Sequence, residues 1–323
     1  MKLTTLRPLA AILLACTLTA CAPAASPSDS TAQSGSSVSS EAQAVTFTDD
    51  LGRTVTVERP ERVAALIGSF ADIWCLAGGQ STLVATANDA WTSFDLGLDD
   101  SVLDLGGVKE PNFEILLSAQ PDLVLASCNT TANVDMRSSL EQANIPVAYF
   151  DIQHFSDYLR MLDICTQLTG CPERYTQYGE EVGKVIDQAV ARQDGSAPTV
   201  LCMRTTGSSC KVKGSQDFLL GEMLADLGCV NVADQDSALL EDLSLEAIMA
   251  ADPDYIFVVL QGSDPTKAQQ TLERTLLSNP AWSSLRAVQE NRFYTLEHSL
   301  YNVKPNARWG EAYEKLADIL YPQ

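Results

Sequence analysis

Histidine is nearly missing from this sequence: His154 and His298 are the only two in 323 residues. Bare transition ions generally need three or four nitrogen, oxygen or sulfur ligands, so one histidine in each half is thin support for such a site. Basic charge is scarce too, with 21 Lys and Arg against 42 Asp and Glu and a formal net charge of −21. A surface of that sign repels phosphate backbones and anionic headgroups, which argues against nucleic acid as a partner. From Cys75 onward no cysteine falls in a CxxC or CxxH spacing, so a structural zinc is poorly supported. Gly-x-Ser-x-Gly and Gly-x-x-x-x-Gly-Lys are absent and no carboxylate pair stands out, which leaves an enzyme without a nucleophile elbow or a phosphate loop. The expectation is a protein that is not an enzyme, with no resident cofactor and no metal site.

Residues 9–18 form an apolar run after Lys2 and Arg7, too short to act as a mature membrane span. Residues 1–20 therefore read as a signal peptide. The run ends in Leu18-Thr19-Ala20-Cys21, which resembles the lipobox of bacterial lipoproteins, where small residues admit the peptidase and the Cys thiol accepts diacylglycerol. Cys21 is the expected lipidation site. Residues 21–44 are mostly Ala, Ser, Pro, Thr and Gln without apolar periodicity, and cannot offset the entropy of an ordered backbone, so they read as a flexible linker. A lipid at one end and a folded body at the other place the protein on the extracytoplasmic face of the cell membrane. Seven cysteines remain in the body, an odd number. Cys165 with Cys171, or Cys202 with Cys210, are candidate bridges, but buried free thiols behaving as small hydrophobes are the favoured expectation.

About 280 residues of body exceed what one core usually holds and suggest two lobes. Val45, Phe47 and residues 54–57 alternate around Asp49-Asp50-Leu51-Gly52, a hairpin pattern. Apolar strands at 62–67, 83–86, 122–126 and 145–150 alternate with helical stretches at 131–143 and 155–168, which implies a parallel sheet with helices on its faces. Residues 45–171 thus form an N-terminal α/β lobe. Tyr175, Tyr178, Val182, Val185 and Ala189 recur at helical spacing and predict one helix over about 172–192, roughly 30 Å long, within a connecting segment 172–194. A second α/β lobe over 195–323 follows, with strands at 199–203, 255–260 and 292–296 and helices at 218–227 and 306–320. The stripe Trp309, Ala312, Tyr313, Leu316 and Leu320 reads as core.

The most informative pattern is an internal echo. Residues 111–122 (PNFEILLSAQPD) recur as residues 243–254 (LSLEAIMAADPD), so that Glu114 and Glu246 precede Pro-Asp by the same interval. A Glu in the first turn of one helix has a bland explanation, because it meets the positive end of the helix dipole. Two, placed symmetrically on two lobes, fit a two-fold partner with basic pockets.

This echo resembles the paired motif of the class III periplasmic binding proteins, the binders of iron-siderophores, haem and vitamin B12. The resemblance extends over most of the body, through Thr48-Asp49-Asp50-Leu51-Gly52-Arg53, Gly106-Gly107-Val108-Lys109-Glu110-Pro111-Asn112, Pro121-Asp122-Leu123-Val124, Asn279-Pro280-Ala281-Trp282 and Arg292-Phe293-Tyr294. It implies two Rossmann-like α/β lobes joined by a single long rigid helix, with the ligand in the cleft between them. It also implies that Glu114 and Glu246 dock on arginines of an ABC permease dimer, which works with its ATPase subunits. On this reading the chain is the substrate-binding lipoprotein of an ABC importer, a monomer that captures a small-molecule chelate. An iron-siderophore is the first expectation, with haem or vitamin B12 as alternatives and a non-transport surface sensor or haem relay of the same fold as the rival.

Ligands of open α/β sheets bind outside the carboxyl ends of the strands. That nominates Ser69-Phe70, residues 88–94, Ser127-Cys128-Asn129 and Gln153-His154 in the first lobe, and residues 204–213, Gln261 and residues 298–302 in the second. Within these loops Trp91, Phe94 and Tyr301 are candidate apolar walls, and Arg204, Lys211 and Lys213 are candidate partners for a ligand's negative charge. His298 is a further ligand-binding candidate, and with His154 it could form an axial pair for haem.

Overall fold

A computed structural model of the chain describes residues 44–322 apart from residues 217, 237, 242 and 263. The expected signal peptide, Cys21 and the expected linker up to residue 43 lie outside the described residues, so the lipidation reading remains one of sequence. Among the described residues no helix is long and apolar enough to cross a membrane.

The hairpin forms as its alternation predicts: β1 (Val45–Thr48) pairs antiparallel with β2 (Thr54–Val57), Val45 opposite Val57. Asp49, 3% exposed, closes the turn. Its carboxylate accepts from the backbone of Leu51 and Arg53 and from the Arg53 guanidinium, and it also takes the N–H of Tyr149, which ties the hairpin to the first lobe.

That lobe is a parallel sheet of β3 (Val63–Ala65), β4 (Leu83–Thr86), β5 (Leu103–Asp104), β6 (Leu123–Ser127) and β7 (Val147–Phe150), in the order β5-β4-β3-β6-β7. Every residue of β6 and β7 is buried, as expected of strands covered on both faces. The second lobe has β8 (Thr199–Thr205), β9 (Cys210–Lys213), β10 (Val230–Asn231), β11 (Tyr255–Leu260) and β12 (Phe293–Leu296). Its path is β10-β8-β11-β12, all parallel, with β9 folding back antiparallel onto β8.

Between the lobes the predicted uninterrupted helix is wound in three parts: Glu173–Tyr175, a π turn at Thr176–Glu180, and Glu181–Val190. The wide turn has a local cause. The Tyr158 hydroxyl, from the helix Phe155–Thr169, donates to the carbonyl of Tyr178 at 2.8 Å, and Gly179 sits so close to Leu159 that a Cβ there would lie 2.9 Å from its Cδ2. Downstream, Glu181–Val190 packs on the last helix, Trp309–Leu320, where a Cβ on Gly310 would lie 2.9 Å from Val185. Trp309, Ala312, Tyr313, Leu316 and Leu320 are all buried, so the stripe is core as expected.

The largest apolar cluster draws on both lobes. Ala65, Phe70, Leu162 and Cys165 from the first share it with Val200, Cys202, Phe257 and Leu316 from the second. All seven body cysteines are free, so neither Cys165–Cys171 nor Cys202–Cys210 is bridged. Burial pushes the thiols of Cys75 and Cys229 up to about 12, which makes these two packing groups rather than nucleophiles.

Candidate functional site

The strand order of the first lobe turns outward in both directions from β3 and β6, and a cavity opens at the carboxyl ends of those strands. It holds about 330 Å³ and is lined by Ile67, Ser69 and Phe70 after β3, Asp89 and Phe94 after β4, Ser127, Asn129 and Thr130 at the end of β6, and Ile152 and Gln153 after β7. Two of these loops are locked together. The backbone N–H of Gly68 donates to Asp89 at 2.8 Å, and a Cβ on Gly68 would lie 2.6 Å from the backbone nitrogen of Ala90, so only glycine admits this approach. On the other side Asp151 accepts from the amides of both Asn129 and Gln153, which aligns the loops after β6 and β7.

The second lobe closes the cavity with Val303 and Lys304. Lys304 also lines two adjoining spaces. One, of about 170 Å³, runs toward Asp72 and Arg308, and the other, of about 130 Å³, is shared with Arg204, Phe218, Glu222 and Asn302. Burial pulls the Lys304 ammonium below its ordinary pKa, while the charges of Asp151, Asp157 and Glu222 hold it up in part. A half-buried cation in a cleft is an anion site by its chemistry, and Arg204 adds a second charge next to it.

Two hydrogen-bonded contacts bridge the lobes beside the cleft. Nδ1 of His154, at the start of helix Phe155–Thr169, contacts Oε1 of Glu222 on the helix Leu219–Asp226, and that bond raises the histidine's pKa. The buried amide of Asn306 donates to the carbonyl of Ser69 and to Oδ2 of Asp72, each at 2.8 Å.

Of the cleft residues expected from sequence, Phe94 and Arg204 line these cavities. The others lie outside these linings. Tyr301 is 1% exposed and its hydroxyl donates to Ala312, so it holds the last helix. Trp91 is half-buried against the core; the aromatic wall beside Phe94 is Phe70. Nε2 of His298 sits 3.0 Å from the Asn302 amide, and burial lowers its pKa, but it lines none of the three spaces, and His154 is turned to Glu222. Lys211 is exposed on β9, opposite Arg204, and Lys213 is half-buried opposite Cys202; both lie beyond the cavity linings. Lys304 escaped the sequence reading by two residues, because the nominated loop ended at Asn302. The signal that was available is a cation directly before Pro305, in a connection too short to leave the cleft.

The echoed segments fold alike. Glu114 and Glu246 are both exposed, each the second residue of a short helix, Phe113–Ser118 and Leu245–Ala251. Each helix is capped by a side chain one residue before it, Asn112 accepting from Ile115 and Ser244 from Ala247. Each segment then passes through a left-handed residue, Gln120 at φ 47 and Asp252 at φ 37. The following aspartates repeat a further role: Asp122 accepts the N–H groups of Glu61 and Arg62 just before β3, and Asp254 that of Thr199 at the start of β8. An arginine closes each helix end, Arg62 on the carbonyls of Ala119 and Gln120, Arg286 on that of Asp252.

Comparison with known proteins gives four findings. The model of the periplasmic binding protein family matches residues 63–300. An iron-uptake system-binding protein of Bacillus subtilis (strain 168) is 27% identical over 324 residues, covering 94% of this chain and 93% of that one. Among solved structures, the siderophore-binding protein BauB, bound to a complex of two acinetobactin molecules and ferric iron, superposes with a TM-score of 0.69 at 18% identity, over 86% of this chain and 99% of its own. The apo periplasmic haem-binding protein RhuT of Roseiflexus sp. RS-1 does so with a TM-score of 0.64 at 23% identity, over 81% and 98%. The structural likenesses speak for the fold alone.

Proposed function

Because the chain belongs to the class III periplasmic binding protein family, we propose that it is the extracytoplasmic substrate-binding lipoprotein of an ABC importer and that its cargo is a ferric siderophore chelate. The observation that carries this reading is the lining of the cavity. Ser69, Asn129 and Gln153 offer hydroxyl and amide groups, Phe70 and Phe94 give apolar walls, and the second lobe brings Lys304 with Arg204 next to it. Among the described residues lining this cavity there is no His, Cys, Met or Tyr, the side chains that hold haem iron, while His154 lines a neighbouring space of about 780 Å³ together with Glu222. Such a site suits iron that arrives with its coordination already filled by an anionic chelator, to which the protein supplies counter-charge and hydrogen bonds. The name of the Bacillus subtilis iron-uptake relative agrees with an iron cargo.

Glu114 and Glu246 are proposed to dock on the permease, one on each subunit, in support of which stand their exposure and the matching construction of their two helices. Cys21 is proposed as the lipid attachment site; a Cys21→Ser protein would then be shed from cells rather than held at the membrane.

The test of the cargo is tryptophan fluorescence quenching of the protein against ferric siderophores, ferric citrate, haem and cobalamin. Saturable quenching by ferric chelates, weakened in Lys304→Ala, is the expected result. Tight binding of haem or cobalamin with none of a ferric chelate would overturn the chelate reading.

A further inference from the structure

Among the described residues four large apolar side chains are exposed: Leu103 at 36%, Leu117 at 39%, Leu240 at 43% and Met249 at 38%. Single exposed hydrophobics are normal on protein surfaces. Two of these four, however, occupy the same position of the echoed segment, three residues after Glu114 and three residues after Glu246. Positions i and i+3 of a helix share a face, so each lobe presents a carboxylate and an apolar side chain side by side. The residue just before each is fully buried, Leu116 and Ile248 both at 0%, so the helices are fixed in rotation and the exposure is a property of the face. Elsewhere on these helices the two copies diverge, Ile115 against Ala247 and Ser118 against Ala250.

We infer that Leu117 and Met249 are the apolar half of the docking surface, and that each subunit of the two-fold permease offers a basic side chain beside an apolar recess. The inference rests on the docking role proposed for Glu114 and Glu246. Its physical ground is that a solvent-exposed ion pair is weak and screened by salt. Charge speeds encounter and fixes orientation, whereas the lifetime of a contact depends on desolvated apolar anchors at its centre. The carboxylate next to each apolar side chain calls for a basic partner, and the duplication on two lobes calls for a partner with two equivalent sites. Leu and Met are close in volume, so one recess repeated by symmetry accepts either.

The experiment measures association and dissociation of the full chain on its importer reconstituted in lipid nanodiscs. Leu117→Ser with Met249→Ser is expected to dissociate roughly tenfold or more faster with little change in association. Glu114→Gln with Glu246→Gln is expected mainly to slow association and flatten its salt dependence. Leu117→Met with Met249→Leu should behave as wild type, and so should Leu103→Ser with Leu240→Ser, equally exposed but outside the repeated helices. If the Leu117/Met249 serine pair dissociates like wild type while the glutamine pair is impaired, the apolar inference falls and the docking reading stands. If neither pair changes the kinetics, both fall. A large loss of melting temperature in that serine pair would assign the two side chains to the fold and also overturn the inference.

Discussion

The Nδ2 amide of Asn306 lies 2.8 Å from Oδ2 of Asp72, so a residue of the second lobe is hydrogen-bonded to the first helix of the other. Asn306 is buried, in the left-handed region at φ 50, and its Oδ1 has no partner. Burial raises the Asp72 carboxyl to about 6, against the smaller opposing effect of the Asn306 bond.

A carboxyl whose folded pKa exceeds its unfolded value binds its proton more tightly when folded. Its contribution to stability is therefore present at pH 4 and lost as the pH rises through about 6. Asp72→Asn keeps an acceptor for Asn306 and removes the charge. The variant should gain on the wild type between pH 4 and pH 7 by on the order of 2 kcal/mol, read from urea unfolding at both pH values; a difference independent of pH would remove the buried charge from the account.

The His154–Glu222 bridge has the opposite chemistry and a narrower reach. Its histidine pKa is raised, so the contact is at full strength below the unfolded value near 6.5 and fades as the pH climbs through the folded one. Both side chains are partly exposed, and the coupling in a double-mutant cycle of His154→Ala and Glu222→Ala should be a few tenths of a kcal/mol at pH 5.5 and absent at pH 9.

Lys304→Ala should weaken binding of an anionic ferric chelate by roughly tenfold or more, and Arg204→Ala by less, because Lys304 lines all three spaces and Arg204 only one. Titration calorimetry at two salt concentrations checks this: the wild type should lose affinity with salt more steeply than Lys304→Ala.

Reversal of charge at both proposed docking positions, Glu114→Lys with Glu246→Lys, should leave cargo affinity and melting unchanged, since neither side chain lines the cavity, and abolish import by cells. Import at the wild-type rate would refute the docking role.

Gly68→Ala would force a Cβ to within 2.6 Å of the Ala90 backbone. A loss of about 1–3 kcal/mol is expected, together with weaker cargo binding, because the loop that moves carries Asp89 and Phe94.

Much of this was legible in the sequence. The hairpin, β4 and β11 fall where alternation or apolar runs put them, and the echo marked two helices that prove alike down to their caps. What escaped is what depends on tertiary partners. Strands as short as Leu103–Asp104 and Val230–Asn231 carry no period. The antiparallel return of β9 buries Cys210 and Val212 and exposes Lys211, an alternation that falls inside the stretch nominated as a loop. Tyr301 has the apolar body and polar tip of a cleft residue, but its hydroxyl is satisfied by the carbonyl of Ala312 in the last helix.

The π turn at Thr176–Glu180 has a geometric consequence. Each residue of an α-helix advances the azimuth by about 100°, so one residue wound in excess resets the phase of everything after it. Within the turn Gly179 lies against Leu159 and Leu162 of the first lobe, and beyond it Val182 and Val185 meet Gly310 of the second. The helix is thus a crankshaft whose offset sets the clocking of one lobe against the other. Removing a single residue from that turn would swing the two acidic corners out of line with each other while leaving every strand intact.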